Sequence, residues 1–216
     1  MEINSSHYTQ KLTTTLNRLK QAGACANRYA FLVKALGGVE YDHDKPINLL
    51  EILETNGPAD CLWALCATEE NCEKVAILMA AEFAETVLHL YERQYPTDNR
   101  PRSAIEAARR YVLSEIGAAA DAAWAALDAA AAALAVTNAG KAAVNAAKAA
   151  AWAASDAAWA AVDAAKGTGI WATTHTALAA ANAAKATGEI VLGAFKAVSP
   201  ATLAGQANII KCYLLK

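Results

Sequence analysis

Large apolar residues in the first third of the chain recur three and four positions apart, and glycine or proline separates each group from the next. Such spacing places the apolar side chains on one face of a helix, and Gly or Pro at its ends marks the boundaries. The pattern predicts four helices, running from about Asn4 to Gly23, from Ala24 to Leu36, from Pro46 to Asn56 and from Pro58 onward. No run alternates apolar and polar residues over a strand length, so we expect no sheet.

A longer amphipathic helix is predicted from about Cys72 to Tyr91, ended by Pro96. Its polar face carries Glu82, Glu85, His89 and Glu92. This set of side chains resembles the ligands of helical bundles that bind two iron ions. That class of site needs Glu-x-x-His twice, whereas here Glu85 and His89 are four positions apart and the pair occurs once. The segment is therefore predicted to be structural rather than a metal site.

Alanine dominates residues 118–165, where 29 of 48 positions are Ala. Alanine has the highest helix propensity and loses no side-chain entropy in a helix, so the stretch is predicted to be helical on local grounds. A methyl group buries little area, so the few large side chains must supply most of the burial energy, at about 1.5–3 kcal/mol each.

Two near copies, residues 121–130 and 156–165, lie 35 positions apart, which is the length of a helical-hairpin repeat. Large and polar residues in this region recur at helical spacing and form two stripes. The first stripe contains Lys141, Asn145, Lys148, Trp152, Asp156, Trp159, Asp163 and Lys166, and the second contains Trp171, His175, Leu178, Asn182 and Lys185. Either the stripes are the solvated side of closely packed alanine helices, or their Trp residues line a groove, pocket or subunit contact.

The predicted fold class is all-α, an array of antiparallel helical hairpins with a long Ala-rich repeat region. Two regions are expected, residues 1–98 and an Ala-rich array over residues 99–216, with one continuous domain as the alternative. The last helix, from about Ala201 to Lys216, is more apolar than the array before it. It either caps the array or pairs with another copy, so we predict a homo-oligomer.

Composition excludes several classes of protein. A net charge of −2 argues against binding nucleic acid through a positive field. Asp residues within the Ala-rich helices would each cost about 2.5–3.5 kcal/mol at the centre of a bilayer, so no membrane span is expected. The N-terminal sequence does not resemble a signal peptide, which predicts a cytoplasmic protein. The five cysteines are irregularly spaced and indicate reduced thiols, with no metal site and no cofactor.

Arginines and a glutamate cluster where the front of the chain meets the Ala-rich region: Arg100, Arg102, Glu106, Arg109 and Arg110. In a structural interpretation, which we call the elbow interpretation, the cluster rigidly joins the front and back halves of the chain, and Glu106 pairs with arginines three and four positions later. In a ligand-binding interpretation, the guanidinium groups beside a helix N-terminus hold a phosphate or carboxylate. Both interpretations stay open at this point.

The segment 81–92, Pro96 and the block Arg100-Pro-Arg102-Ser-Ala-Ile-Glu106-Ala-Ala-Arg109 resemble the putative immunity proteins, a helical family often found in phage and prophage genomes. Members carry the pattern VLxLFE…P…RPRxAIEAxR followed by Ala-rich helices, and the likeness extends from about residue 23 to 166. Family members often have histidines in the Ala-rich helices, at places where Trp124 and Trp152 stand here; the nearby histidine is His175. The resemblance implies a non-catalytic protein that neutralises a toxin or, in a phage, a host defence component.

Two binding functions follow, and both fit a cytoplasmic anti-defence protein, in the host cell if a phage encodes it. In the first, the chain sequesters a small, anionic, nucleotide-derived immune signal: Trp rings stack on the base and arginines hold the phosphates. In the second, it inhibits a protein effector by covering its surface. No nucleophile and base pair or phosphate loop is visible, so we expect no enzyme. The predicted ligand-binding residues are Arg100, Arg102, Glu106, Arg109, Trp124, Asp128, Trp152, Asp156 and Trp159.

Overall fold

The computed structural model describes residues 11–114, 129, 141–166, 172, 174–176, 178–182 and 200–214. Its α-helices are α1 (Leu16–Gln21), α2 (Ala26–Leu36), α3 (Leu49–Asn56), α4 (Pro58–Ala64), α5 (Glu73–Gln94), α6 (Arg100–Ser114), α7 (Lys141–Ala165) and α8 (Pro200–Leu214). Short 3-10 turns span Gly38–Glu40 and Leu65–Ala67. Residues 172, 174–176 and 178–182 are also helical and are called the His175 segment below. The prediction of an all-α fold is confirmed.

Helix α5 lies at the centre of the core and contacts α6, α7 and α8. Most of its residues between Val75 and Tyr91 are buried, including Phe83, Val87 and Leu88. A helix that is apolar on nearly every side must be surrounded by other elements. Only the face that carries Glu82, Glu85 and Glu92 stays partly exposed.

Helix α7 packs against α5 and α6 through alanines. Ala151, Ala153, Ala154, Ala157, Ala158, Ala160 and Ala161 are all fully buried. Because methyl groups are small, helices that meet through them can approach to the short end of the usual 8–10 Å between axes. The prediction that the alanine faces pack closely is confirmed for the part of this helix that is described.

The N-terminal region differs from the prediction. Helix α1 begins at Leu16, where the Thr15 hydroxyl accepts a hydrogen bond from the Arg18 amide. The predicted start near Asn4 lies outside the described residues, but the predicted helix at 11–15 is wrong, and so is the expectation of no sheet. Strand β1 (Thr13–Thr14) pairs antiparallel with β2 (Ile47–Asn48).

Two contacts from later in the chain hold these threonines extended. The Glu70 carboxylate accepts from both the amide and the hydroxyl of Thr13, each at 2.7 Å, and the Thr14 hydroxyl donates to the Ala67 carbonyl at 2.6 Å. Thr14 and Thr15 are buried. β-branched residues favour this extended backbone, and the tertiary contacts fix it.

The apolar C-terminal helix packs on its own chain. Helix α8 contacts α3, α4 and α5 and buries Ile210, Tyr213 and Leu214. These three helices belong to the region before residue 99, so both predicted roles, capping of the Ala-rich array and pairing with another copy, stay predictions. All five cysteine thiols are free. Within the described part of the chain, no helix combines the length and apolarity needed to cross a membrane.

Candidate functional site

The predicted ligand-binding residues fall in two places. Arg100, Arg102, Glu106 and Arg109 lie on α6, whereas Trp152, Asp156 and Trp159 lie on α7. The two other predicted residues, Trp124 and Asp128, lie outside the described residues. Helices α6 and α7 contact each other, and both contact α5.

The first group forms an ion-pair ladder, which we define as Arg102 and Arg109 of α6 with Glu82, Glu85 and Glu92 of α5. Arg102 donates to Glu92 at 2.6 Å and lies 3.7 Å from Glu85. Arg109 donates to Glu85 at 3.0 Å and lies 3.9 Å from Glu82. The side chains of the ladder are between one quarter and two fifths exposed. Each guanidinium therefore already has carboxylate partners.

Arg100 has a separate carboxylate partner at the start of α6. Asp98 accepts from the Arg100 guanidinium at 2.6 Å, from the Arg100 amide at 3.1 Å and from the Tyr91 hydroxyl at 2.7 Å. The guanidinium of Arg100 holds the pKa of Asp98 well below its usual range, and burial beside Asp98 raises the pKa of Tyr91. These bonds join the end of α5 to the start of α6, whereas Arg109, which the elbow interpretation pairs with Glu106, donates to Glu85 of α5. Any anion at this helix N-terminus would compete with Asp98.

The second group contains a histidine held between two carboxylates. His175 Nδ1 lies 3.1 Å from Asp156 Oδ1, and its Nε2 lies 3.4 Å from Asp163 Oδ2. The Asn182 amide donates to the other Asp156 oxygen at 2.8 Å. An imidazole ring can donate to both carboxylates at once only when both of its nitrogens carry hydrogen. We call Asp156, Asp163, His175 and Asn182 the Asp–His cluster.

Trp159 lies beside this cluster. Its ring stacks on the imidazole of His175, with centroids 6.4 Å apart and an angle of 26° between the planes. The ammonium of Lys166 lies 5.7 Å from the Trp159 ring centroid, close enough for a cation–π contact. Trp152 and Trp159 are both partly buried against the core, and the Lys166 side chain is 60% exposed. The apolar ring of Trp159 therefore lies beside one positive charge, that of the largely exposed Lys166 side chain.

The two stripes seen in the sequence face each other in this cluster. Asp156 and Asp163 come from the first stripe, and His175 and Asn182 come from the second. Asp156 is only 9% exposed, so for this residue the solvated interpretation is wrong. Sequence reasoning did not select His175 as a site residue. The sequence did contain a signal for His175, because its helical spacing to Asn182 places both residues on one polar stripe. Polar stripes on two alanine helices can pair with each other when the helices pack.

The Asp–His cluster has the ligand types of a metal site but not its geometry. No group of three or more His, Cys, Asp and Glu side chains in the described ranges is placed to hold a metal ion. Asp156 instead accepts hydrogen bonds from the imidazole of His175 and from the Asn182 amide. The arrangement holds two helices together and places the Trp159 ring beside them.

A family model described as Imm-5 like putative immunity protein matches residues 67–189, which is 123 of the 216 residues. The chain belongs to this family. The ion-pair ladder, Asp98 with Arg100, and the Asp–His cluster all lie inside the matched range. No curated protein and no solved structure matches the chain.

Proposed function

We propose that this chain acts as a non-catalytic immunity protein that neutralises a protein effector by binding and covering it. The outer face of α6, next to the ion-pair ladder, is the proposed contact surface. The observation that carries the proposal is the chemistry of this face: two partly exposed arginines flank an exposed carboxylate, and an exposed apolar residue follows. Leu113 of α6 is 49% exposed, and Arg102, Glu106 and Arg109 lie at helical spacing before it.

Partly exposed ion pairs contribute only about 0–1 kcal/mol each, so a ladder arginine can exchange its partner for a carboxylate on another protein at small cost. Arginine is enriched at the centres of protein interfaces, where it binds carboxylates through two parallel hydrogen bonds. Charges of both signs on one face also select a partner of complementary pattern. These properties support a protein target over a free anion.

The test measures binding of the proteins encoded by genes that neighbour this one, and protection of cells against any of them that is toxic. The double variant Arg102→Glu and Arg109→Glu should weaken binding at least about tenfold, because like charges then face the partner and Glu85. A matched control with the same change of net charge is Lys20→Glu and Lys34→Glu, at exposed positions on α1 and α2. Loss of binding in both variants, or in neither, would contradict the proposed surface. Circular dichroism verifies that each variant is folded.

A second candidate function is capture of a small nucleotide-derived immune signal at Trp159. The supporting observation is the Trp159 ring beside the Lys166 ammonium, which offers a stacking surface and one cation for a phosphate. Asp156 and Asp163 can accept hydrogen bonds from ribose or base, but their charges oppose an anion. The predicted phosphate-binding arginines lie on another helix, α6, whereas Trp159 has His175 and Lys166 beside its ring. Because the charges of Asp156 and Asp163 oppose an anion next to Trp159, we rank the protein target first.

Isothermal titration with adenine nucleotides and cyclic dinucleotides separates the two functions. If a nucleotide binds at this position, Trp159→Ala should cost about 1–3 kcal/mol of binding, which is the usual worth of base stacking. Trp63→Ala, at a partly exposed tryptophan of α4, is the matched control. A large loss of thermal stability with unaltered affinity in the folded fraction would remove Trp159 from the site.

A further inference from the structure

A mainly apolar pocket of about 220 Å³ lies between α1, α2, α3 and α4 and opens to solvent, outside the range that matches the family. Two aromatic side chains beside it are not covered by the rest of the chain. Trp63 of α4 lines the pocket and is 37% exposed. Phe31 of α2 is 51% exposed, and its ring centroid lies 5.9 Å from the guanidinium carbon of Arg28, which also lines the pocket. Exposed apolar groups that cluster in this way mark a surface for contact with another protein.

Helix α2 is covered on one side only. It packs on α1 and α3, and of its 11 residues only Leu32 is buried. Phe31 and Ala35 are both exposed and lie four positions apart, so they form an apolar strip along the outer side of this helix. Since most helical stability in proteins comes from packing of the apolar face, a second packing partner for α2 would stabilise it.

Charged side chains are sorted by sign across the pocket. Those of α1 and α2 are all basic, and those of α3 and α4 are all acidic: Arg18, Lys20, Arg28 and Lys34 against Glu51, Glu54 and Asp60. Every one of them except Asp60 is exposed. Arg28 and Asp60 form an ion pair between α2 and α4 at 2.7 Å. The surface therefore has a basic half and an acidic half on either side of an apolar pocket.

We propose that this surface binds a second copy of the chain in a two-fold symmetric dimer. When the symmetry axis runs along the pocket, the rotation places the basic half of each copy over the acidic half of the other. The same rotation brings Phe31 of each copy against the side of the pocket that carries Trp63 in the other copy, so the apolar centre of the interface is buried. A second copy carries both charged halves already, whereas an unrelated partner would have to reproduce their order. Charge complementarity therefore selects the second copy.

The first test is the mass of the full chain by sedimentation velocity. The wild-type chain should be mostly dimeric at roughly 100 μM, as expected for a Kd of about 10 μM. Phe31→Ser should raise this Kd at least about tenfold, because an aromatic side chain is lost from the centre of the interface in both copies. Leu113→Ser on α6, where Leu113 is 49% exposed, is the matched control and should leave the Kd unchanged. A monomeric wild-type chain, or equal effects of the two substitutions, would overturn the proposal.

Charge exchange tests which halves face each other. One double variant, Lys20→Glu with Lys34→Glu, and another, Glu51→Lys with Glu54→Lys, each place like charges opposite one another, so each alone should dimerise at least about tenfold more weakly. An equimolar mixture of the two restores opposite charges at both contacts of a heterodimer and should regain the wild-type mass. Neither variant changes α6, so this test is independent of the contact surface proposed there. If circular dichroism shows that both variants are folded and the mixture stays monomeric, the proposal is overturned.

Discussion

The Thr176 hydroxyl lies 2.9 Å from the carbonyl oxygen of Ala76, to which it donates a hydrogen bond across 100 positions of the chain. Both residues are fully buried, which places this face of the His175 segment directly against α5. The preceding residue on a helix points about 100° away. His175 is thereby turned from α5 toward α7, where it meets Asp156 and Trp159.

Close packing of alanine on α7 can be tested by adding side-chain volume. Ala157→Leu, at a fully buried position, should lower the free energy of unfolding by about 1–3 kcal/mol, because overpacking moves neighbouring groups. Ala165→Leu lies on the same helix at an exposed position, and its effect should stay within about 0.5 kcal/mol. Urea unfolding measures both. Equal effects of the two substitutions would contradict the packing described for α7.

The contact between Asp156 and His175 predicts a measurable coupling in a double-mutant cycle. Asp156→Asn and His175→Gln, alone and together, should give a coupling energy of about 1–2 kcal/mol, because the contact is mostly buried. The exposed hydrogen bond from the Asn17 amide to Asp44, 2.7 Å long, is the control. Its coupling should be below about 0.5 kcal/mol. Similar couplings for both pairs would show that the cluster adds no specific stability.

Asp98 predicts a pH dependence of stability in acid. Its pKa is lowered in the folded state through its hydrogen bonds with Arg100, so the folded protein binds its proton less tightly than the unfolded chain does. The resulting stability is present above the unfolded pKa of about 3.9 and is lost as the pH falls through the lower folded pKa. Asp98→Asn should reduce stability at neutral pH and flatten the acid part of the profile.

The measurement for Asp98 is urea unfolding from neutral pH down to the acid limit of folding. Glu54→Gln, at an exposed carboxyl on α3, is the control and should leave the slope of the profile unchanged. A profile for Asp98→Asn that is parallel to that of the wild-type protein would refute the assignment.

The cysteines should react with thiol reagents in an order set by burial. Cys25 and Cys212 are exposed, Cys66 is intermediate, and Cys61 and Cys72 are buried. Burial raises the pKa of Cys61 to about 12, so at pH 8 almost none of it is the reactive thiolate. Mass spectrometry after brief alkylation should find Cys25 and Cys212 modified first and Cys61 protected until unfolding. Early modification of Cys61 would show that its helix opens readily.

Several helices could be predicted because local signals specify them. Helix α3 ends at Asn56 as predicted, since Gly57 has a φ of +90° that other residues adopt only with strain. Proline occupies the first turn of α4 and of α6, where its fixed φ suits the helix and its missing amide hydrogen costs nothing. Apolar periodicity identified α5 as the main amphipathic helix. The resemblance that pointed to the immunity family also rests on local sequence, and the family match confirms it.

Tertiary contacts decided the features that local sequence signals do not specify. Thr13 and Thr14 are extended because Glu70 and Ala67, more than 50 positions later, bind their polar groups, and no local pattern encodes those partners. The partners of Arg102 and Arg109 are glutamates on another helix, so spacing within α6 could not show that these arginines are already paired. Periodicity places a residue on a helix face, but the packing of that helix decides what the face meets. Asp156 and His175 lay on two separate stripes in the sequence, and only the contact of their helices brought them together.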